Sequence, residues 1–412
     1  MPTNPERDEG ERGEFRDVTD LLRRWPDAPA PDLAERVLQA VRPPAWRAPL
    51  ALAASLAVLL GATWLPPRNG PDQPVAMTIP EPDAAQEWME AAPTVSATLE
   101  PISREPTATP IRRPLAQATY WLMAAQDADG GWSMGRIGAA ANYNVGLSAL
   151  ALLALMTADE KAPAQDDATA RGLGFLLAQQ DGPSGLFGPA ITGSLYNHTL
   201  ACLALLEGRT PGDGREEGLK RGLALLVRHQ RAEGGWSYLR ARSSPPNSSL
   251  TSWALLALME AESRGVADYA AEIERGFAWL QATVDQEGRA GYRRPGDHPH
   301  GSETLTAAVA LCLAERSDLP RPRIDRMLAH VLRDAGGDTR TLDFYRTFFQ
   351  ATVMREAGLE AAPELSHLLA RLEAAQDRTS EQAGSWAAED PWSRTGGRVY
   401  STALAMLALS QN

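Results

Sequence analysis

Residues 221–260, RGLALLVRHQRAEGGWSYLRARSSPPNSSLTSWALLALME, decide the fold. The stretch begins with a charged amphipathic helix that ends near Gln230, and a Gly-Gly-Trp turn follows at residues 234–236. A polar loop with two prolines then leads to residues 251–259, which are apolar on nearly every side of a helix. If this unit recurs along the chain, the fold is a repeat architecture.

The unit does recur, and the chain from Pro114 onward contains six predicted helix pairs. A turn with glycine and an aromatic residue joins the two helices in every pair except the fifth, which has a short loop instead. The predicted pairs are 115–126 with 145–156, 168–180 with 199–206, 221–230 with 251–259, 269–283 with 304–314, 322–334 with 344–357, and 363–376 with 400–409.

The two helices of a pair differ in composition. First helices carry charges on one face, such as Glu216, Lys220 and Arg228 in the third pair, whereas second helices such as 147–156 are apolar all round. A helix that is apolar on every side is buried on every side. The pattern therefore predicts an all-α domain of two concentric layers, and closure of six pairs into an (α/α)6 toroid leaves no exposed end.

The turns favour close packing between neighbouring pairs. Glycine reaches backbone angles that end a helix sharply, and a glutamine side chain can bond the backbone groups that are left unpaired there. The aromatic ring then covers the seam between pairs. We expect this structural role for Gln126, Trp132, Gln179, Phe187, Gln230, Trp236, Gln376 and Trp386.

These turns resemble the QW repeats of the squalene–hopene and oxidosqualene cyclases. The third pair follows the whole repeat pattern, from Arg221-Gly222 through Leu226 and Gln230 to Gly234-Gly235-Trp236, and the other pairs follow it in part. The similarity covers residues 114–412 and implies the α/α toroid. The β subunits of protein prenyltransferases and the thioester domains of complement-like proteins share this fold.

The resemblance does not extend to the residues that carry the chemistry of these families. The cyclases protonate an alkene with Asp-x-Asp-Asp-Thr-Ala, and the nearest stretch here, residues 302–307 (SETLTA), has no aspartate. Neither Cys202 nor Cys312 lies in the Asp-x-Cys zinc motif of the prenyltransferases, and no Gly-Cys-Gly-Glu-Gln thioester is present. We therefore expect a non-cyclising protein without metal or cofactor, and the sequence leaves open whether it is an enzyme.

Three segments precede the predicted toroid of residues 113–412. Residues 1–45 are polar and predict short helices or disorder. Residues 46–65 carry no charge between 48 and 65, a length close to the ~20 residues that cross a bilayer, and so predict a transmembrane helix. Residues 66–112 contain ten prolines and predict an extended linker.

Charge predicts the orientation of this membrane anchor and excludes one class of partner. Eight arginines precede the uncharged stretch, the last two being Arg42 and Arg47, and only Arg68 follows it closely. We therefore expect a cytoplasmic N-terminus and an extracytoplasmic toroid at the cell (inner) membrane. The net charge of −12 argues against a nucleic-acid partner. Two cysteines cannot build a disulfide framework, and we expect both thiols to be buried in apolar helices.

Three residues are weak candidates for catalysis. Glu303 and His198 lie near the beginning of predicted inner helices, and Asp390 lies in the loop before the last one. For Asp390 we expect a solvated loop, and for Asn197, next to His198, a helix cap. A place for His198 on a central cavity is the alternative to a buried structural one.

The residues with the most metal-ligand groups lie in one short loop. Asp297, His298 and His300 are close in sequence, with Glu303 following. No further ligand has the spacing of a known metal site. We expect this loop to be exposed and to bind no metal.

A rim of tyrosines and arginines is the candidate ligand site. In a closed ring of helix pairs the inner helices are parallel, so their positive N-terminal ends meet on one face. The sequence predicts that an anionic or sugar-like group binds there, although Asp297, Glu303 and Asp390 leave ordinary surface solubility as the alternative. The predicted ligand-binding residues are Tyr143, Tyr238, Tyr292, Arg240, Arg293 and Arg398.

The patterns together predict a membrane-anchored, extracytoplasmic toroid that binds a ligand or partner in its central cavity or at its rim. The expected partners are the inner membrane, through residues 46–65, and either an envelope protein or an anionic, isoprenoid or glycan ligand. Three alternatives stay open. They are an enzyme acting on isoprenoids, a polysaccharide lyase or hydrolase with two facing carboxylates such as Glu303 and Asp390, and a cell-envelope scaffold.

Overall fold

The described part of the chain comprises the C-terminal three quarters of the sequence, with short gaps. The computed structural model describes residues 114–133, 142–158, 161–191, 193–209, 214–239, 244–298, 301–314, 321–337, 341–390 and 392–410. The predicted segments 1–45, 46–65 and 66–112 lie outside these residues. Within the described ranges, no helix has both the length and the apolar character that crossing a bilayer requires.

The described residues form twelve α-helices that follow one another as six hairpins, numbered here as repeats 1 to 6. Odd-numbered helices come first in each repeat. The helices are α1 Pro114–Ala124, α2 Asn144–Met156, α3 Gln165–Ala178, α4 Ser194–Glu207, α5 Glu216–His229, α6 Ser248–Ser263, α7 Ala270–Thr283, α8 Glu303–Leu313, α9 Arg321–Gly336, α10 Phe344–Glu356, α11 Pro363–Ala374 and α12 Ser393–Leu409.

The even-numbered helices form a closed inner ring. Helix α2 packs against α4, α4 against α6, α6 against α8, α8 against α10, α10 against α12, and α12 returns to α2. Each odd-numbered helix lies outside this ring, against the inner helix of its own repeat and that of the preceding repeat. The predicted toroid of six helix pairs is therefore confirmed, and the ring is closed.

Burial differs between the two layers as the composition predicted. Residues 145–155 of α2 and 248–258 of α6 are buried without interruption. The outer helix α5 buries one face, which includes Leu219, Leu223 and Leu226. Both cysteines are buried free thiols. Apolar burial on this scale is the main free energy that holds the two layers together.

In repeats 1, 3 and 6 the tryptophan of the turn is held by two hydrogen bonds, one from its side chain and one from its backbone. In repeat 3 the indole Nε1 of Trp236 donates to the Leu226 carbonyl at 2.8 Å, and its backbone N–H donates to the Thr251 hydroxyl at 2.9 Å. Trp132 bonds Leu122 and Ser148 in the same way, and Trp386 bonds Leu372 and Thr402. The turn thus connects the outer helix to the inner one.

The glutamine of each turn connects one repeat to the next. The Nε2 of Gln230 donates to the carbonyls of Gly234 and Glu272, both at 2.7 Å, and Glu272 belongs to α7 of the following repeat. The Arg275 guanidinium donates to the remaining amide oxygen. Gln126 makes the corresponding bonds to Gly130 and Ala168, and Gln376 to Gly384 and Pro114.

A glycine with positive φ is required in each of these turns. Gly234 has a φ of +101°, and a Cβ atom there would lie 2.3 Å from the backbone oxygen of Arg275. A residue with a side chain would therefore be strained and would push the next outer helix away. The close approach of α7 to this turn depends on glycine.

Two positions in the turns differ from the predicted ones. In repeat 2 the amide of Gln180, not of Gln179, donates to Gly185 and to Gly218. Gln180 lies five positions before Gly185, one more than separate Gln230 from Gly234 in repeat 3. In repeat 4 the backbone N–H of Ala290 bonds the Thr306 hydroxyl at 3.1 Å, so Ala290 takes the place of the aromatic residue. Tyr292, two residues later, therefore does not occupy the position that tryptophan takes in repeats 1, 3 and 6.

Candidate functional site

The centre of the ring is occupied by aromatic side chains of the protein itself. Trp253 of α6 stacks on Phe348 of α10 with ring centroids 6.1 Å apart, and it contacts Phe349 at 5.1 Å. Helices α6 and α10 are not neighbours along the ring, because α8 lies between them. These side chains therefore meet across the interior, and with Tyr345 they form what we call the central aromatic cluster.

All members of this cluster are buried. The predicted central cavity is thus filled at the level of Trp253, in contrast to the open cavity that a long polyene requires. Aromatic pairs in tilted and offset arrangements add about 0.5–1.5 kcal/mol each beyond the burial of their area. Ligand chemistry is left to the face of the ring above this cluster.

Four tyrosines gather on the face where the inner helices begin, which we call the N-terminal face. The hydroxyls of Tyr238 and Tyr292 lie 2.8 Å apart, and the rings of Tyr196 and Tyr238 are 6.4 Å apart. The Tyr345 hydroxyl accepts from the indole of Trp253 at 3.0 Å. The four phenols, here called the phenol cluster, come from four different segments of the chain.

Repeats 3 and 4 position the first two phenols in the same way. Tyr238 and Tyr292 each follow, by four residues, a turn glycine with positive φ, Gly234 and Gly288. Because the two turns pack in the same manner against adjacent repeats, their tyrosines arrive side by side. The predicted rim residues Tyr238 and Tyr292 are therefore in contact, and the guanidinium carbon of Arg293 lies 5.5 Å from the Tyr292 ring centroid.

Several buried polar atoms at this face have no hydrogen-bond partner within the described structure. They lie at or near the beginning of inner helices, and each belongs to a residue that is at least 97% buried. An unpaired buried polar group costs about 1–3 kcal/mol, so such a group needs an explanation. The atoms are Asn197 Oδ1, Ser248 Oγ, Ser252 Oγ, Gln350 Nε2, Tyr400 Oη and, in the loop before α12, Asp390 Oδ2.

The phenols stay uncharged at ordinary pH. Burial is the main cause that raises the pKa of Tyr196, and the neighbouring phenols Tyr238, Tyr292 and Tyr345 raise it further, while the Ser249 hydroxyl lowers it slightly. Burial also raises the pKa of Tyr238 and Tyr292. Each neutral phenol both donates and accepts a hydrogen bond.

A carboxylate pair extends the N-terminal face toward α12. Asp390 Oδ1 accepts the backbone N–H groups of Trp392 at 2.7 Å and Ser393 at 2.9 Å. Asp343 accepts the indole N–H of Trp392 at 3.2 Å. Burial, with a contribution from Asp343, raises the pKa of Asp390. Asp390 is fully buried, so the expected solvated loop was wrong for this residue.

Tyr400 joins this carboxylate pair to the phenol cluster. Its pKa is raised by burial and then by the charges of Asp390 and Asp343 and by Tyr345. Its hydroxyl has no hydrogen-bond partner within the described structure. Tyr400 is thus coupled electrostatically both to the carboxylate pair and to Tyr345 of the phenol cluster.

His198 has a structural role in repeat 2. Its Nδ1 accepts the backbone N–H of Phe187 at 3.1 Å, and its Nε2 lies 2.9 Å from the Gly222 carbonyl. Both ring nitrogens are thus used within the turn, and the ring stacks on Phe187 at 5.4 Å. Burial lowers the pKa of His198 to about 4, so the imidazole is neutral at pH 7.

Asn197 is not the predicted helix cap. Helix α4 begins at Ser194, and the Asn197 amide donates to the Asn142 carbonyl at 2.8 Å. The helix extends further toward the face than the apolar run suggested, because its first residues are polar and yet buried.

Glu303 is half-buried at the start of α8. Burial, and then the charge of Glu303, raise the pKa of Asp334 to about 6. The sequence did not indicate this electrostatic coupling between two carboxyl groups of repeats 4 and 5.

The remaining predicted rim residues are dispersed. Tyr143 is buried next to α2, and burial raises its pKa to about 12. Arg398 bonds the Ser385 hydroxyl at 2.8 Å and pairs with Asp377 at 3.6 Å, in the turn of repeat 6. Arg240 lies outside the described residues. The described arginines therefore do not converge on one anion site.

Asp297 and His298 are half-buried, whereas residues 293–296 of the same loop are exposed as expected. His300 lies outside the described residues. Within the residues described, no group of three or more histidine, cysteine, aspartate or glutamate side chains has the arrangement of a metal site.

Sequence patterns indicated only part of the N-terminal face. Tyr196, Tyr345, Tyr400 and Asp343 were missed because they lie inside or next to helices that were assigned to the core. The available signal was the placement of polar residues in the first two turns of otherwise apolar helices, as in residues 194–199.

Solved structures with a similar fold include enzymes of different chemistry. The type II terpene cyclase MstE from Scytonema is 16% identical, with a TM-score of 0.53 over 72% of this chain and 97% of that one. An α-amylase from Clostridium perfringens is 10% identical, with a TM-score of 0.52 over 72% and 96% of the two chains. An inactive α-1,6-mannanase variant from Salegentibacter, solved with α-1,6-mannotriose, is 11% identical, with a TM-score of 0.52 over 72% and 99%.

These similarities concern the fold alone, at 10–16% identity. No protein-family model matches the chain, and no curated protein matches it. The described residues thus form an α/α toroid of the kind found in both terpene cyclases and glycoside hydrolases.

Proposed function

We propose that the protein is a non-cyclising toroid that binds a neutral, hydroxyl-rich ligand of the sugar class at its N-terminal face. The observation that carries this proposal is the set of buried, unpartnered polar atoms around the phenol cluster. Hydroxyl groups of a ligand complement such atoms because each both donates and accepts. The filled ring centre and the missing acid motif oppose cyclisation of a polyene.

A neutral ligand suits this face better than an anion. The phenols are uncharged, and Asp343 and Asp390 lie on the same face, where they repel an anion. Aromatic side chains with polar tips provide both an apolar surface and hydrogen bonds. The amylase and the mannanase with the same fold act on polysaccharides, which supports a sugar ligand without assigning it.

Binding to a glycan array tests this function. The array should include linear α-glucans, α-mannans and peptidoglycan saccharides, and the full-length protein should bind at least one class. Tyr196→Phe and Tyr400→Phe should weaken that binding, whereas Tyr120→Phe, at an exposed tyrosine on α1, should not. Absence of glycan binding, together with turnover of squalene or a prenyl diphosphate, would reject the proposal in favour of an isoprenoid enzyme.

We also propose that residues 46–65 anchor the chain in the inner membrane with the toroid outside the cytoplasm. The uncharged stretch and the preceding arginines support this placement. A reporter that is active only outside the cytoplasm, fused after Asn412, should be active. Deletion of residues 46–65 should release the protein from the membrane fraction.

A second candidate function is hydrolysis of a glycosidic bond by Glu303 and Asp334. The raised pKa of Asp334, about 6, is typical of a general acid beside a second carboxylate. Release of reducing ends from a bound polysaccharide would support it, and Asp334→Asn should then abolish the activity while glycan binding persists. Binding without any release leaves the protein a binding domain.

A further inference from the structure

A groove lies between repeats 2 and 3, beside the phenol cluster. Its lining residue Leu239 follows Tyr238, and its lining residue Arg231 donates to the Tyr238 carbonyl at 3.4 Å. The groove has a volume of about 980 Å³ and is bounded by the turn after α3 and by the end of α5. Its floor is apolar, and its edges are polar. The lining residues are Asp181, Ser184, Leu186, Gly188, Ala190, Leu225, Arg228, His229, Gln230, Arg231 and Leu239.

One edge of the groove carries the basic groups. Arg228, His229 and Arg231 follow one another at the end of α5. Arg228 donates to the Ser184 carbonyl at 2.8 Å, which holds its guanidinium across the groove. Among the residues described, Arg228 has no carboxylate partner within ion-pair distance.

The acidic residue of the groove is already engaged by its own turn. The Asp181 carboxylate accepts the backbone N–H of Ser184 at 3.0 Å and also the Ser184 hydroxyl. These bonds lower the pKa of Asp181. Asp181 therefore stays ionised, and its single negative charge stands against the two guanidinium charges of Arg228 and Arg231 in the lining. The groove is thus net positive in a chain whose net charge is −12.

We propose that this groove binds an acidic segment of a partner protein, with an apolar side chain of that segment seated between Leu225 and Leu239. A small anion does not need the apolar floor, and a neutral sugar does not need the basic edge. An extended peptide that combines carboxylates with an apolar anchor uses both. The charge complementarity favours fast and selective association. The lining of the groove contains no member of the phenol cluster, so variants can test this interaction separately from the proposed sugar site.

Peptide phage display on the immobilised full-length protein tests the proposal. The enriched peptides should combine Asp or Glu with Leu, Ile, Phe or Trp. Binding of the best synthetic peptide, measured by fluorescence anisotropy, should weaken about tenfold in Arg228→Glu and several-fold in Leu239→Ala. Arg294→Glu is the matched control, since Arg294 is an exposed rim arginine outside the groove, and it should bind as the wild type does.

Other outcomes contradict the proposal. No enrichment, enrichment of basic peptides, or equal loss in Arg228→Glu and Arg294→Glu would each overturn it. Light scattering on the wild type and the same variants measures the oligomeric state. A wild-type dimer that dissociates in Arg228→Glu would show that a second copy of the chain, and not an acidic partner segment, occupies the groove. Unchanged melting temperatures show that the variants are folded, which is expected because Arg228 and Arg294 are both exposed.

Discussion

One position near the start of the inner helix is equivalent in five repeats. A hydroxyl residue occupies it in four of them, namely Ser148, Thr251, Thr306 and Thr402, and His198 occupies it in repeat 2, which has Phe187 in its turn. Each accepts the backbone N–H of the turn residue that covers the seam. A phenylalanine has no indole N–H with which to bond the outer helix. The larger histidine compensates, because its second nitrogen reaches the Gly222 carbonyl of the next outer helix.

This histidine makes stability depend on pH. The pKa of His198 is about 4 in the folded protein and 6.5 in the unfolded chain. Between these two pH values the imidazole is protonated in the unfolded state and neutral in the folded state. The contribution of the neutral imidazole to the free energy of unfolding is complete above pH 6.5 and is lost as the pH falls toward 4. The loss is about 1.4 kcal/mol per pH unit and about 3 kcal/mol in total.

Urea unfolding of wild type and His198→Gln between pH 7 and pH 4.5 measures this effect. The variant should be less stable at pH 7 and should lose less stability on acidification. His367→Gln, at an exposed histidine on α11, should retain the wild-type slope. Identical slopes in wild type and His198→Gln would exclude the assigned role.

The unpartnered phenol of Tyr400 gives a second test at this scale. In Tyr400→Phe the removed hydroxyl has no partner, so removal relieves a buried polar group and stability should stay equal or rise by up to about 1 kcal/mol. Thermal unfolding without ligand measures it. A loss of more than 1 kcal/mol would mean that the hydroxyl already has a structural role.

At the scale of elements, the chain order of outer and inner helices followed directly from composition. Charged faces and uniformly apolar helices require two layers, whichever side chains pack between them. The start of α4 did not follow, because this helix begins at Ser194, five residues before its apolar run at 199. In α12 the backbone is non-helical at Gly397, with a φ of +61°, which separates residues 393–396 from the apolar helix that was predicted at 400. Burial of the polar first turns depends on contacts around the ring, and no local pattern encodes these contacts.

The register of two turns was also beyond the sequence. Gln179 and Gln180 are chemically identical neighbours, and only the packing of the next outer helix decides that Gln180 bonds Gly218. Ala290 carries no aromatic ring, so its role in repeat 4 becomes visible only through its bond to Thr306.

Ring closure has its own testable element. The Gln376 amide donates to the Pro114 carbonyl at 2.8 Å and thereby joins repeat 6 to repeat 1. Gln376→Ala removes this bond and the bond to Gly384, and it should destabilise the protein by about 2 kcal/mol. Hydrogen exchange should rise in α1 and α12 first, because these helices adjoin the closure.

Gln230→Ala is the matched control for this variant. It removes two equivalent bonds between repeats that the chain itself connects. Its exchange should rise locally around α5 and α7 and leave α1 protected. Unchanged exchange of α1 in Gln376→Ala would argue that the ring does not close through this contact.

At the scale of the whole molecule, the filled centre separates this toroid from one that encloses a substrate. Six repeats predicted a toroid, but neither its full closure nor whether its interior is open could be predicted from the sequence. The ring interior is filled by Trp253 of α6 and by three residues of the distant helix α10, Tyr345, Phe348 and Phe349. The sequence does not show that they meet, because apolar residues line an open cavity as readily as they fill a closed one. The phenol cluster was predicted in part for the same reason, since only its loop members were recognisable.

Trp253→Ala tests the packing of the centre. Removal of a fully buried tryptophan should cost about 3–5 kcal/mol and leave an apolar cavity. Trp279→Ala, at a partly buried position on an outer helix, should cost less. Benzene or a similar small apolar molecule should raise the melting temperature of Trp253→Ala and leave that of the wild type unchanged. Stabilisation of the wild type to the same degree would show that its centre is already open.

The central claim is that the ring interior is filled and that ligands bind at the N-terminal face above it. A crystal structure of the full-length protein, soaked with the oligosaccharide that the array selects, tests this most directly. We predict that the rings of Trp253 and Phe348 remain about 6.1 Å apart and that ligand density lies within hydrogen-bond distance of Tyr196 and Tyr400. Separated rings with ligand density between them would contradict the account.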